Sequence, residues 1–310
     1  MKKKISLATS TFPRYHSLKE TFTLIKKAGA DAVDLDLSTG RFDIKNPNSV
    51  YAKSEDEFCT YFTDLKKHAD DIELEVGQTH GRIIAYYHDM PEDFIENHTK
   101  NARLDCYATK LLGAPVTVFH GSNSFRNPPD KATPEMMRSM TFDMFRSCIP
   151  FAREFGVKIA TETFGRIAQL GGIMDFFGDL NEFQMMYNRL CAIEDFKDHF
   201  TMCMDTGHTN MCTLSGYPSP ADAIRILGSN ITCLHLHDNP AERDRHMLPG
   251  TGNIDWKAVL SALDDIGYKG NYNLELVLGF FGENAEMVYA TAEFGVKIMR
   301  DMLKAHYGEI

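Results

Sequence analysis

The sequence predicts an α/β fold, a single (β/α)8 TIM barrel over residues 1–310, and three observations predict it. Short β-rich runs recur eight times, segments of helical periodicity lie between them, and glycines close those segments where a left-handed helix cap belongs. At 310 residues with 43% hydrophobic and 25% charged content, the chain is long enough to bury one large core. A doubly wound open sheet is the other arrangement such alternation allows. No GxGxxG or GxxxxGK-S/T follows any strand, however, so no nucleotide cofactor is expected.

The runs, in order, are ISLATS from Ile5, AVDLDLS from Ala32, LEVGQTH from Leu74, PVTVFHG from Pro115, VKIATETF from Val157, FTMCMDTGH from Phe200, ITCLHLHD from Ile231 and NYNLELV from Asn271. SLKETFTLIKKAGA, DFIENHTKNARLDCYATKLLGA, MRSMTFDMFRSCIPFAREFGV and WKAVLSALDDIGY carry the helical pattern, and Gly29, Gly113, Gly156, Gly228 and Gly267 fall at helix ends. The last helix, NAEMVYATAEFGVKIMRDMLKAHYG, has an apolar stripe that closes the barrel or makes a dimer face, which leaves a homo-oligomer open. Trp256, the sole tryptophan, is expected to pack the helix it begins.

Composition narrows the classes of function. No apolar run reaches the roughly 18 residues of a membrane span, and MKKKISLATSTFPRYH turns polar too early for a signal peptide, so a cytoplasmic protein is expected. Seven cysteines without a CxxC pair predict buried thiols rather than a disulfide framework or zinc ribbon. A net charge of −10 disfavours nucleic acid as partner, since a phosphate backbone is held by clustered Lys and Arg.

In a barrel, polar residues at the C-terminal ends of strands face the active-site mouth. His80, His120, Glu162, Asp205, His208, His235, His237, Asp238 and Glu275 all stand at such ends, and mixed carboxylate and imidazole sets suit Mn²⁺, Co²⁺, Zn²⁺ or, with more oxygen, Mg²⁺. One histidine alone is more often a hydrogen-bonded core residue, and Asp205 alone could cap a helix. Glu162 and Glu275 interrupt the apolar runs KIATETF and NYNLELV, where an unpaired carboxylate costs several kcal/mol. A cation explains both. Strand pleat is expected to let only one of His235 and His237 act as a ligand.

These residues carry a family resemblance. ATETF, MDTGHTN, HLHDN, RDRHMLPGTGNIDW and NLELV resemble, in that order, the xylose-isomerase-like TIM-barrel superfamily, which includes sugar phosphate isomerases and epimerases, inosose-processing enzymes, D-tagatose 3-epimerase and endonuclease IV. The resemblance implies one divalent metal ion held by Glu162, Asp205, His235 and Glu275, with His235 preferred to His237 by the pattern His, apolar, any, Asp. It further implies a sugar or sugar-derivative isomerase or epimerase acting through a metal-stabilised enediolate. Glu162 and Glu275 are then the catalytic pair that takes and returns the proton. His208, Arg166, His120 and His80 are candidates to hold a small carbohydrate substrate, with Phe12 and Phe164 as pocket walls; the alternative for Arg166 is a surface salt bridge.

Endonuclease IV is the rival within the same superfamily. Its three-zinc set is similar to His80, His120, His208, Asp244 and His246 taken with the first four, which would imply a phosphodiesterase acting at abasic DNA. The acidic composition favours the carbohydrate reading. Ala168 and Ala241 stand where D-tagatose 3-epimerase has glutamate and arginine, so inosose dehydration or C-glycoside cleavage on the same metal site also remain open.

Overall fold

A computed structural model of the chain describes residues 3–13, 15–281 and 284–308. Its regular elements, in chain order, are β1 (Ile5–Ala8), α1 (Leu18–Lys27), β2 (Ala32–Asp36), α2 (Glu55–Asp71), β3 (Glu75–His80), α3 (Phe94–Leu111), β4 (Val116–Phe119), α4 (Pro134–Phe155) and β5 (Lys158–Glu162). There follow β6 (Arg166–Ile167), β7 (Ile173–Met174), α5 (Leu180–Cys191), β8 (Phe200–Asp205), α6 (Thr206–Cys212), α7 (Pro220–Leu227), β9 (Ile231–His235), α8 (Trp256–Asp265), β10 (Tyr272–Leu274) and α9 (Ala285–Tyr307). All eight runs read as strands form one, at β1 to β5 and β8 to β10, with helix between each and the next. Two compact units divide the residues: 1–35, 67–77 and 203–310, and 36–66 with 78–202.

In the first unit β1 pairs in parallel with β10, Ile5 to Tyr272 through Leu7 to Leu274, and with β2, Ser6 to Ala32 through Ala8 to Asp34. Leu236 continues the pattern beyond β9 by bridging to Leu274. Ile5, Leu7, Val33, Leu234 and Leu274 are completely buried, as expected of parallel strands covered on both faces. Helices supply the cover. Phe22 and Ile25 of α1, Ile224 of α7, and Met299 and Leu303 of α9 are buried too, each worth about 1.5–3 kcal/mol relative to exposure. Ser17 and Glu20 form a reciprocal capping box at the start of α1.

In the second unit β3, β4 and β5 pair in parallel, with His80 opposite Val118 and Phe119 opposite Thr161. Thr133 caps α4, Pro134 occupies its first turn, and Gly156 closes it at φ 67°. Phe145, Cys148, Phe183 and Leu190 of α4 and α5 are fully buried. The antiparallel pair β6 and β7 was not expected from the sequence; Arg166 faces Met174 across it. Strand β8 also stops earlier than the run FTMCMDTGH predicts. The side chain of Asp205 accepts the His208 amide at 2.6 Å, so helix α6 begins at Thr206. All seven cysteines are free thiols. Among the described residues no helix is long and apolar enough to cross a membrane.

Candidate metal centre

Within the second unit, parallel register brings the ends of β3, β4 and β5 level, and the ladder continues past them: Gly81 donates to the Val118 carbonyl and His120 to that of Arg82. His80 Nε2 and His120 Nε2 lie 3.3 Å apart, and Glu162 Oε2 stands 3.4 and 2.9 Å from them. Donor atoms about 2.0–2.1 Å from a tetrahedral ion stand about 3.3 Å from one another, so this triangle has the spacing of a two-histidine, one-carboxylate face. Phe164 meets the His120 ring edge-on, centroids 6.0 Å apart. The guanidinium of Arg166 rests against Gly172, its Nε is buried without a hydrogen-bond partner, and no carboxylate pairs with it among the described residues.

Within the first unit, Asp205, His235 and Glu275 each offer a ligand atom, all within 4.8 Å of one another. His235 is completely buried, its Nδ1 3.5 Å from Glu275 Oε2 and its Nε2 3.5 Å from Asp34 Oδ2. Asp205 does two things at once, capping α6 through Oδ1 and meeting His237 Nε2 at 3.0 Å through Oδ2. The expectation that pleat would separate His235 from His237 is corrected here. Residues two apart point to the same face of a strand, and both imidazoles are buried against carboxylates.

A further group forms where the segment after β9 returns. Asp244 Oδ2 lies 3.3 Å from His208 Nε2 and 3.1 Å from His246 Nε2. His246 stacks on His237, and its Nδ1 meets the Glu275 carbonyl oxygen at 3.0 Å. Its backbone sits at φ 43°, in the left-handed region that non-glycine residues enter at a cost of order 1 kcal/mol. Burial alone would raise the Asp244 carboxyl, but His208 and His246 overcome it and hold the group well below the usual carboxylate range. Burial opposes charge on His246 as well, yet Asp244, Glu275 and Asp205 push its pKa up to about 10. Negative potential is thus concentrated here, which is the environment a cation requires.

The sequence motifs of this unit are one interlocked network. Thr206 Oγ1 donates to the His237 carbonyl, Asn239 Nδ2 to that of Gly207, and Asn210 Nδ2 reaches both Asn239 and Asn253. A Cβ on Gly207 would come within 1.9 Å of the His237 ring, so MDTGH needs its glycine for that close approach. Asp238 is a fastener rather than a ligand: it accepts the Gly250 amide and the Trp256 indole, both at 2.8 Å, and the Ile254 amide at 3.3 Å. Trp256, 6% exposed, is structural as expected. Phe12 is buried just beyond β1. Asp34 and its partner Asn273, which donates to Oδ2 at 2.9 Å, escaped the sequence reading. The signal was there: Asp34 interrupts the apolar run AVDLDLS as Glu162 and Glu275 interrupt theirs.

Comparison with known proteins supplies the wider context. A family model described as xylose isomerase-like TIM barrel matches residues 22–293. Among solved structures, a D-tagatose 3-epimerase-like protein superposes with a TM-score of 0.70 at 20% identity, covering 98% of each chain. The 3-keto-D-glucoside 4-epimerase YcjR from E. coli gives 0.70 at 19%, over 97% of this chain and 100% of that one. The IolI protein with a bound zinc atom gives 0.70 at 17%, over 98% and 99%. Curated relatives are an uncharacterised protein of Sinorhizobium fredii, 26% identical over 56% of this chain and 50% of its own length, and one of Methanocaldococcus jannaschii, 26% identical over 43% and 42%. The chain thus spans about half the length of the curated relatives it matches. At such identities the structural likeness establishes the fold, and the fold is a TIM barrel.

Proposed function

Because the chain belongs to the xylose isomerase-like TIM-barrel family, we propose that it is a divalent-metal-dependent isomerase or epimerase of a small sugar or sugar derivative. In this reading it works in the cytoplasm as one domain over residues 1–310. The observation that carries the proposal is the convergence of Asp205, His235 and Glu275 within 4.8 Å, a donor set of two carboxylates and an imidazole that fits Mn²⁺, Co²⁺, Mg²⁺ or Zn²⁺. Glu162 is assigned as fourth ligand by its place in ATETF.

A divalent cation there supplies Lewis-acid polarisation of an α-hydroxy carbonyl, which acidifies the neighbouring C–H. Glu162 and Glu275 are the acid and base of the proposal, one taking the proton from carbon and the other returning it to the opposite face or the adjacent carbon. His80, His120 and His208 hold substrate oxygens, Phe12 and Phe164 wall the pocket, and Arg166, a cation with no carboxylate partner among the described residues, meets an acidic or phosphorylated group of the substrate. Dehydration of an inosose and cleavage of a C-glycoside begin with the same proton abstraction and belong to the same reading.

A second reading rests on the two remaining clusters, His80–His120–Glu162 and His208–Asp244–His246, each of which fits a further ion. Three zinc ions would make the chain an endonuclease IV-like phosphodiesterase acting at abasic DNA. Elemental analysis of protein purified without added metal separates the two. About one Mn, Co, Mg or Zn per chain sustains the sugar enzyme, and turnover is then sought with keto-sugars and inososes; about three zinc ions overturn it in favour of the nuclease.

A further inference from the structure

We propose that Asp34 is the positioning carboxylate of His235, holding the proton of that imidazole on Nε2 so that Nδ1 presents its lone pair to the ion. The inference rests on the reading that His235 is a metal ligand.

Asp34 is 1% exposed on β2, where an ionised carboxylate without a role would carry a desolvation cost of several kcal/mol. Strand register explains how it reaches Asn273. Asp34 stands opposite Ala8 on β1, while Asn273 on β10 stands opposite Ser6 on the other side of the same strand, so only one short strand separates them. Across that strand the Asn273 amide donates to Asp34 Oδ2 at 2.9 Å. Asn273 is itself completely buried. That donation fixes where the Asp34 oxygen sits.

The same oxygen lies 3.5 Å from His235 Nε2. On the other side of the ring, Nδ1 is 3.5 Å from Glu275 Oε2, and Glu275 shares its ligand cluster with Asp205 and His235. A neutral imidazole has one N–H and one lone pair to distribute between two carboxylates. Asp34 is engaged by Asn273 and lies outside every group of ligand atoms that converge for a cation, whereas Glu275 belongs to three such groups. The N–H therefore goes to Asp34 and the lone pair faces the cluster. A carboxylate behind a ligating histidine orients the ring and raises its basicity, and removing such a partner typically weakens metal binding about 10–100-fold.

The test uses Asp34→Asn. An amide oxygen in the place of Oδ2 is a neutral, weaker acceptor for Asn273 and His235, and the flipped amide turns its NH2 toward both, so the variant loses the charge that holds the proton on Nε2. Two readouts apply: long-range ¹H–¹⁵N spectra of histidine-labelled protein, which assign the tautomer of His235, and zinc affinity from competition with a chromophoric chelator. Wild type is expected to carry the His235 proton on Nε2. Asp34→Asn is expected to lose that preference and to bind zinc about 10–100-fold more weakly. Should Asp34→Asn fold poorly, Asn273→Ala keeps the carboxylate and removes its tether; a smaller loss in the same direction is expected. A wild-type His235 protonated on Nδ1, or unchanged tautomer and affinity in both variants, overturns the proposal. If instead His235→Ala binds zinc as tightly as wild type, the ligand set is at fault, and the tautomer spectra still decide the role of Asp34.

Discussion

The indole N–H of Trp256 donates to Asp238 Oδ2 at 2.8 Å, and the Gly250 amide donates to the same oxygen at 2.8 Å. Between Asp238 and Trp256 the chain makes a loop that carries Asp244 and His246. Its return is pinned where Asp238 and Met247 exchange backbone hydrogen bonds at 2.9 Å. A Cβ on Gly252 would stand 2.2 Å from Asp238 Oδ1 and 2.4 Å from the Asn239 carbonyl oxygen, which is why GTGNIDW keeps a glycine there.

From this fastening comes a stability prediction with a built-in probe. Asp238→Ala leaves the buried Gly250 and Trp256 donors without their shared acceptor, and the expected loss is about 2–4 kcal/mol. Urea unfolding followed by tryptophan fluorescence measures it, because Trp256 is the sole tryptophan. The native emission should also shift to the red as the indole loses its partner. An unchanged midpoint and spectrum would mean the loop is held by other contacts.

His98 of α3 sets an acid limit on stability. It is 4% exposed, packs edge-on against Tyr86 with centroids 5.4 Å apart, and has no hydrogen-bond partner on either ring nitrogen among the described residues. Burial and the Arg82 guanidinium bring its pKa down to about 3, against about 6.5 in an unfolded chain. Between those values the unfolded state binds a proton that the folded state refuses. Stability from this group is whole above about pH 6.5 and drains as pH falls toward 3, with about 2 kcal/mol gone at pH 5. His98→Leu should flatten the pH dependence of the urea midpoint between pH 7 and 5; parallel curves for variant and wild type would refute the assignment.

Legibility in the sequence followed the scale of the interaction. Each strand is a local apolar run and each helix a local period, so β1 and α1 could be read from a few residues. MDTGHTN, HLHDN and GNIDW were legible because Thr206, Asn210, Asn239 and Asn253 bind one another and leave few substitutions that preserve the network. The hairpin of β6 and β7 was not legible: its strands are two residues each, too short to show alternation. Asp34 visibly interrupts AVDLDLS, but what it binds is not local. Its partner Asn273 is far away in the chain, and what joins them is the pairing of β1 with both β2 and β10. Pleat puts His235 and His237 on one face, and what distinguishes them is their partners, Asp34 and Glu275 for the first and Asp205 for the second.

Glu275→Gln bears on the paired-glutamate mechanism. Glu275 is mostly buried, beside His235 and His246, and the amide keeps its shape while losing the capacity to accept a proton from carbon. Turnover should fall at least about 10³-fold while the thermal unfolding midpoint moves by only a few degrees. Near-wild-type activity with whatever sugar proves to be the substrate would remove Glu275 from the proton path.

The two histidines of HLHD are distinguished by what faces them, and their alanine variants should separate accordingly. His237 Nε2 is directed at Asp205 Oδ2 at 3.0 Å, and its ring is held between Gly207 and His246, which describes a side chain that steadies a ligand carboxylate. His235 stands between Asp34 and Glu275 with one nitrogen toward each, which describes a ligand with its own orienting partner. After exhaustive dialysis, His235→Ala should retain about one ion per chain fewer than wild type, while His237→Ala retains the wild-type complement with a faster release rate. Elemental analysis and the kinetics of metal transfer to a chelator give both numbers. Loss of the ion from His237→Ala with retention in His235→Ala would transfer the ligand assignment to His237 and leave Asp34 without a metal-linked role.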